Sequence, residues 1–289
     1  MTTVDRYTLN PDQFPPLLSE IPDPPEKLHV RGTLPDPSSH QFLAVVGSRK
    51  HSKYGKEVVE TLIEALEGTP SCVVSGLALG IDALAHKAAL KAGLPTIAIP
   101  GSGLNDDVLY PKSNRGIAKD MLQSGGALMS EFDDDFKAQP WSFPKRNRIM
   151  AGISHATLVI EAEEKSGTLI TARLATEYNR DVLVVPGNIT SKTSDGCNKL
   201  IRDGAVPITS PEDLKAALFP QLEKPTLFSS VSEEERHVLR ALRTPKTKEE
   251  LGASIDISHA DLTRILVSLK SKNLITEKLG KIHKINDSG

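Results

Sequence analysis

The chain has 289 residues, of which 38% are hydrophobic and 25% are charged, and its formal net charge is −2. That charge excludes overall basicity as an argument for nucleic-acid binding, so an anion site must rest on local patches. Two cysteines, Cys72 and Cys197, are too few for a disulfide framework and fit a reducing cytosol. Because no apolar stretch is long enough to cross a membrane, we expect a cytoplasmic protein without membrane insertion.

Residues 1–40 form the first predicted region, a Pro-rich N-terminal arm. Eight prolines in this stretch disfavour regular helices and central strands, because proline lacks a backbone N–H donor. We therefore expect an extended arm that lies along the main domain and is anchored by the apolar side chains Leu17, Leu18, Ile21 and Val30.

Six short apolar runs follow: "FLAVVGS", "CVVSG", "PTIAIPG", "ALMSE", "ATLVIEA" and "DVLVVPG". Their hydrophobicity is continuous rather than alternating, which indicates strands that are buried on both faces of a parallel sheet. Helical stretches separate the runs. The pattern predicts an α/β fold over residues 41–220, with a doubly wound, mostly parallel sheet of the extended Rossmann-like type, whose ligands bind beyond the carboxyl ends of the strands.

The C-terminal part of the chain has a different pattern. Residues 221–230 read as a linker that contains proline and serine, and residues 231–289 read as three helices followed by a hairpin with a glycine turn. This order predicts a small C-terminal winged-helix domain. Its 11 basic and 9 acidic residues are too evenly balanced to indicate strong DNA binding by this domain alone.

Two glycine-containing turns at predicted strand ends could bind phosphate. Gly47, Ser48 and Arg49 follow the first run, where exposed backbone N–H groups and a guanidinium suit an anion. The segment Lys165, Ser166, Gly167 and Thr168 precedes a helix and offers a cap hydroxyl, amides and a lysine. The alternative interpretation of each segment is an ordinary strand-to-helix turn or N-cap.

Further polar residues are expected at the same edge of the sheet. The segment "SFPKRNRIMAG" begins a helix with unusual positive charge, and another pair of polar residues follows the sixth strand. Folding should gather these cations with Arg49 and Lys165 into a basic rim suited to a polyanion, where Phe143 could stack on a base. The candidates from these two segments are Phe143, Lys145, Arg146, Asn147, Arg148, Asn198 and Lys199.

Other motifs argue against a metal or nucleotide cofactor. Asp82 lies in the first turn of a helix, where a stabilising role is expected, and His86 is expected to be a local hydrogen-bond partner. No second His or Cys stands at metal-ligand spacing, and the sequence has neither GxGxxG nor GxxxxGK[ST]. We expect no metal and no cofactor.

Together the motifs resemble the DNA-processing protein A (DprA/Smf) family over about residues 25–206. The most specific are "VVGSRKHSKYG", "FPKRNRIMAG", "SGTLITA" and "GCNKLIRDGA". The resemblance implies a non-enzymatic protein that binds single-stranded DNA in a pocket on a Rossmann-like domain, protects incoming strands during natural transformation and loads the RecA recombinase onto them. It also implies a homodimer formed through that domain. Many members begin with a helical domain for which this chain has no room before residue 25.

The resemblance carries the DNA pocket onto the candidate residues named above: Gly47, Ser48, Arg49, Lys145 to Arg148 and Lys165 to Thr168, with Asn198 and Lys199 as further contributors. Two alternatives remain at this point. One is a Rossmann-like nucleoside monophosphate phosphoribohydrolase, in which Thr171 would stand where a catalytic glutamate is needed. The other is a transcription regulator that reads duplex DNA through its winged helix.

Overall fold

The structure is a computed structural model that describes residues 5–220, 232–242, 244–255, 257–272, 274–278 and 280–284. The chain divides into two compact units, Met1–Leu218 and Phe219–Gly289. The linker expected over residues 221–230 lies outside the described residues.

The larger unit contains a nine-stranded sheet with the strand order β1-β2-β6-β5-β4-β3-β7-β8-β9. All six apolar runs form strands, and these six pair in parallel with one another. The prediction of a mostly parallel sheet is confirmed. The strands are β1 (Arg6–Leu9), β2 (Leu28–Gly32), β3 (Gln41–Val46), β4 (Ser71–Ser75), β5 (Thr96–Ala98), β6 (Ala127–Ser130), β7 (Ala156–Val159), β8 (Asp181–Val184) and β9 (Val206–Pro207).

Helices cover both faces of this sheet. Successive residues of one strand belong to different apolar clusters. Met129 of β6 belongs to the cluster that contains Ile149 and Ala172, whereas its neighbour Leu128 belongs to the cluster that contains Met121. Continuous hydrophobicity is required wherever a strand is buried in this way. The helices of this unit are α1 (Pro16–Ser19), α2 (Lys53–Glu64), α3 (Ile81–Lys91), α4 (Arg115–Gln123), α5 (Ser142–Ile153), α6 (Thr168–Glu177), α7 (Asp195–Arg202) and α8 (Pro211–Leu218).

The Pro-rich segment is more regular than the sequence indicates. Strands β1 and β2 pair antiparallel, and β2 in turn pairs antiparallel with β6, so this segment extends the sheet at one edge. The prolines disfavour strands only where they stand, and residues 6–9 and 28–32 contain none. Of the expected anchors, Leu18, Ile21 and Val30 are buried, whereas Leu17 is only half-buried.

The smaller unit has the elements of a winged helix. Ser232, Thr247 and Ser258 cap its three helices, each through a side chain that accepts from a backbone N–H. Two antiparallel strands follow, and Gly280 in their turn has a φ of +73°, which favours glycine. The elements are α9 (Glu233–Ala241), α10 (Lys248–Ser254), α11 (His259–Ser271), β10 (Ile275–Lys278) and β11 (Lys281–Lys284).

Candidate nucleic-acid interface

A cavity of about 760 Å³ opens at the carboxyl ends of the central strands, and we call it the edge cavity. The loops that follow β3 and β4 form one side of it, and the N-terminal turns of α5 and α6 form the other. A doubly wound sheet is expected to bind its ligand at this position. The cavity is therefore the candidate functional site of the larger unit.

The edge cavity gathers both glycine-containing turns and part of the α5 segment. The predicted residues that line it are Gly47, Ser48, Arg49, Phe143, Arg146, Asn147, Ser166, Gly167 and Thr168. Predicted residues outside its lining are Lys145, Arg148, Lys165, Asn198 and Lys199. Sequence reasoning missed Lys50, although it directly follows Arg49, and also Glu163 and Thr171.

Arg49 lies at the mouth of the edge cavity. Its side chain is exposed, and the guanidinium carbon stands 5.3 Å from the centroid of the Phe143 ring. The loop that carries it is held against α3, because Ile81 N–H donates to the carbonyl of Ser48 at 3.1 Å. Gly80 permits this approach, since it has a φ of +79° and a Cβ there would overlap the Ser48 carbonyl oxygen.

Arg146 lies in the floor of the same cavity and is only 5% exposed. Its guanidinium donates to the Ile99 carbonyl and to the Asn147 side chain, and it stands 3.9 Å from Asp82. Burial is the main cause that raises the pKa of Asp82 and lowers that of Arg146, and the opposite charge of each partner counters the shift. The opposite charges of Asp82 and Arg146 therefore compensate each other inside the protein.

Asp82 and Gly76 show how local structure holds this floor. The Asp82 carboxylate accepts from the backbone N–H groups of Gly76 and Ala78, at 3.1 and 3.4 Å, which supports the stabilising role expected for it. A Cβ on Gly76 would overlap the Arg146 guanidinium. His86 bonds to Thr96 at 2.8 Å.

The remaining cations of the α5 segment have carboxylate partners. Arg148 is 8% exposed and bonds to Glu131 at 2.6 Å, and Lys145 lies 3.1 Å from the same carboxylate. Glu131 directly follows β6. The residue after this strand therefore supplies the negative charge that compensates the cations at the start of α5. Arg146 and Arg148 are thus buried and paired within the chain, and their contact with a polyanion stays a prediction.

The turn before α6 presents its backbone to the edge cavity. Ser166 Oγ accepts from Thr168 N–H at 3.2 Å and lies 3.0 Å from the Thr168 hydroxyl. No heavy atom lies within 4 Å of the Cβ position of Gly167, so a ligand could contact the backbone there. Lys165 is exposed beside the turn. These groups suit an anion that spans the mouth of the cavity.

Asn198 and Lys199 lie in α7 and are not among the residues that line the edge cavity. Asn198 accepts from Gly187 N–H at 3.2 Å and donates to its carbonyl at 3.1 Å, so this side chain fixes the loop after β8. Lys199 is exposed. The structure thus brings most of the phosphate-turn residues together around the edge cavity, and a role of Asn198 and Lys199 in binding stays a prediction.

The described residues contain no group of three or more His, Cys, Asp or Glu side chains that could hold a metal ion. Within the same ranges, every helix is too short or too polar to span a membrane.

Comparison with known proteins agrees with this geometry. A sequence model of the family described as DNA recombination-mediator protein A matches residues 6–219. The Protein Smf of Escherichia coli is 44% identical over 201 residues, which are 70% of this chain and 53% of that protein. The DNA processing protein DprA of Streptococcus pneumoniae is 43% identical over 210 residues, 73% of each chain. The chain thus spans about half the length of the Escherichia coli relative.

Two solved structures share the fold. The X-ray structure of DprA from Streptococcus pneumoniae is 40% identical, covers 75% of both chains and has a TM-score of 0.67. A structure of DNA processing protein A from Helicobacter pylori, described for its single-stranded DNA binding mode, is 30% identical, covers 75% of this chain and 97% of that one, and also has a TM-score of 0.67. The resemblance seen in the sequence is confirmed, and this chain belongs to the DNA recombination-mediator protein A family.

Proposed function

We propose that this chain binds single-stranded DNA in the edge cavity and takes part in DNA processing during natural transformation. The observation that carries the proposal is the meeting of Arg49, Phe143 and the amide-rich turn at Gly167 around one opening. A guanidinium and backbone amides suit phosphate, and an aromatic ring suits a base. The Helicobacter pylori relative, described by its single-stranded DNA binding mode, supports this assignment.

Exposed cations of the surface would extend the interface beyond the cavity. Lys165 and Lys199 are exposed, and Lys145 is half-exposed despite its contact with Glu131. Phosphate contacts carry little sequence information, so binding should be nearly independent of base sequence. In this proposal Arg146 and Asn147 shape the floor, while Arg148 and Asn198 hold the surrounding loops.

The finer parts of the proposal concern partners. We propose that the protein protects incoming strands, loads RecA recombinase onto them in the cytoplasm and works as a homodimer. The apolar faces of α6 and α8 are two candidates for the dimer interface. Helix α6 retains partly buried Leu169 and Leu174, whereas α8 already buries Leu214 and Leu218. This difference favours α6 for the contact between two copies.

The proposal assigns no catalytic step to the protein. In the related phosphoribohydrolases a carboxylate stabilises the oxocarbenium-like transition state, and Thr171 occupies the matching position here. Asp82 lines the cavity but is already engaged with Arg146 and two backbone amides. Incubation with nucleoside monophosphates should release no base, and release of base would contradict this part of the proposal.

The DNA-binding proposal can be tested with one charge reversal and a matched control. Arg49→Glu should weaken binding of a single-stranded oligonucleotide roughly 10- to 100-fold, because a charge-assisted hydrogen bond is replaced by repulsion. Lys119→Glu makes the same change on an exposed residue of α4 outside the cavity and should have little effect. Equal loss in both variants, or no binding by the unaltered chain, would contradict the proposal.

The RecA step needs a separate assay. We expect the full chain to let RecA assemble on single strands that are already coated with single-strand-binding protein. Assembly at the same rate without the protein would contradict RecA loading and leave the DNA-binding proposal intact.

A further inference from the structure

A shallow cleft adjoins the edge cavity and shares a wall with it. Arg49, Ala78 and Phe143 line both hollows, and the far side of the cleft is formed by Leu79 and Tyr110. A strand that left the edge cavity across this wall would therefore meet Leu79 and Tyr110 next. These two residues come from the loop after β4 and from the long connection between β5 and α4.

The far side of the cleft is apolar and open. Tyr110 is 48% exposed and Leu79 is 47% exposed, although both are large hydrophobic side chains. Exposed apolar groups that cluster beside a polar site are typical of a binding surface. The Tyr110 and Phe143 rings lie 5.7 Å apart between centroids and are tilted by 56°. Because the rings are not parallel, they cannot hold a single base between them.

Arg49 limits the surface of the Phe143 ring on which a base can stack. Its guanidinium lies over the Phe143 ring, so one face of that ring is already covered. A base that stacked on the opposite face of the Phe143 ring would occupy that face, so a second base could not stack on the same ring. The next aromatic surface along the shared wall is Tyr110, which has no cation over it among the described contacts.

We propose that Tyr110, supported by Leu79, is a second base-stacking surface that receives the nucleotide next to the one held at Phe143. This inference rests on the proposed function, since it concerns the path of the same single strand. The two rings are tilted by 56°, so bases that lie flat on them are tilted relative to one another and cannot stay stacked together. The two bases must therefore unstack from one another, which a flexible single strand allows and a paired duplex resists.

The test uses the full chain and oligothymidylate as the probe. Tyr110→Ala should weaken binding by about 5- to 100-fold, the range expected for one stacked base. Tyr110→Phe keeps the ring and should bind like the unaltered chain. Tyr54→Ala removes a tyrosine of similar exposure, 46%, outside both hollows and should leave affinity unchanged.

A second probe separates stacking from structural damage. An oligonucleotide of abasic residues keeps every phosphate but offers no base, so Tyr110→Ala should bind it as well as the unaltered chain does. Equal affinity of Tyr110→Ala and unaltered chain for oligothymidylate would overturn the inference and leave the proposed function standing, as would equal loss on both probes. Absence of any single-strand binding by the unaltered chain would overturn both.

Discussion

Two arginines of one cavity, Arg49 and Arg146, show opposite uses of the same side chain. The Arg49 guanidinium is exposed at the mouth, lies over an aromatic ring and has no hydrogen bond or ion pair among the described residues, whereas Arg146 is buried in the floor with Asp82. A guanidinium that has acceptors inside the protein stabilises the fold, and one that faces solvent is available to a ligand. Positive charge in a sequence therefore identifies a binding site only where the folded chain leaves it unpaired.

The largest expected effect comes from the buried member of this comparison. Arg146→Met removes the charge beside Asp82 and leaves a buried carboxylate without its cation, so the free energy of unfolding should fall by about 3–5 kcal/mol. Denaturant titration measures this loss. The loss of unfolding free energy in the double variant Arg146→Met with Asp82→Asn should be smaller than the sum of the losses in the two single variants. Additive losses would show that the two side chains do not depend on one another.

The buried charge should also influence the pH dependence of stability. Burial, and then the charge of Arg146, lowers the pKa of His86 to about 3 from its ordinary 6.5. Between pH 6.5 and about pH 3, His86 is protonated in the unfolded chain but neutral in the folded chain. The free energy of unfolding therefore falls as the pH is lowered. From pH 6.5 to pH 5 this one group should cost about 2 kcal/mol.

His86→Gln should remove that part of the slope, because the substituted side chain does not titrate. Unfolding free energies of both proteins between pH 5 and pH 7 provide the measurement. Parallel pH profiles would contradict the assignment of a buried, neutral His86.

The smallest expected effect is that of Arg49 on stability. Arg49→Ala removes an exposed contact between a cation and the Phe143 ring, which is worth roughly 0.5–1 kcal/mol. Thermal or denaturant unfolding should place this variant within about 1 kcal/mol of the unaltered chain. A loss as large as that of Arg146→Met would erase the distinction between the two arginines.

Much of the fold can be predicted from the sequence, because runs of Val, Ile and Ala buried on both faces mark the six central strands. The outer strands escaped prediction for physical reasons. Strand β1 is short and mostly exposed, and β9 has only two residues, so neither has a continuous apolar run. Strand β2 alternates between buried and half-buried residues within a Pro-rich stretch.

The candidate site was partly predictable for the same kind of reason. Glycine, serine and threonine at the strand ends indicate turns, and the topology of a parallel sheet places these turns on one edge. The partners of Arg146 and Arg148 could not be predicted, since Asp82 and Glu131 are distant in sequence and meet them only in the folded chain. Tyr110 was not among the predicted site residues, because it has neither the charge nor the glycine-containing turn that indicated phosphate binding elsewhere.

The most direct test of the central claim is the salt dependence of single-strand binding by the unaltered chain and by Arg49→Ala. Each phosphate contact should contribute a slope of about −0.7 in the logarithm of affinity against the logarithm of salt concentration. We predict a clear negative slope for the unaltered chain and a shallower one, by about one contact, for Arg49→Ala. A flat response of the unaltered chain, or identical slopes for both proteins, would contradict the claim that Arg49 is an available cation of the edge cavity.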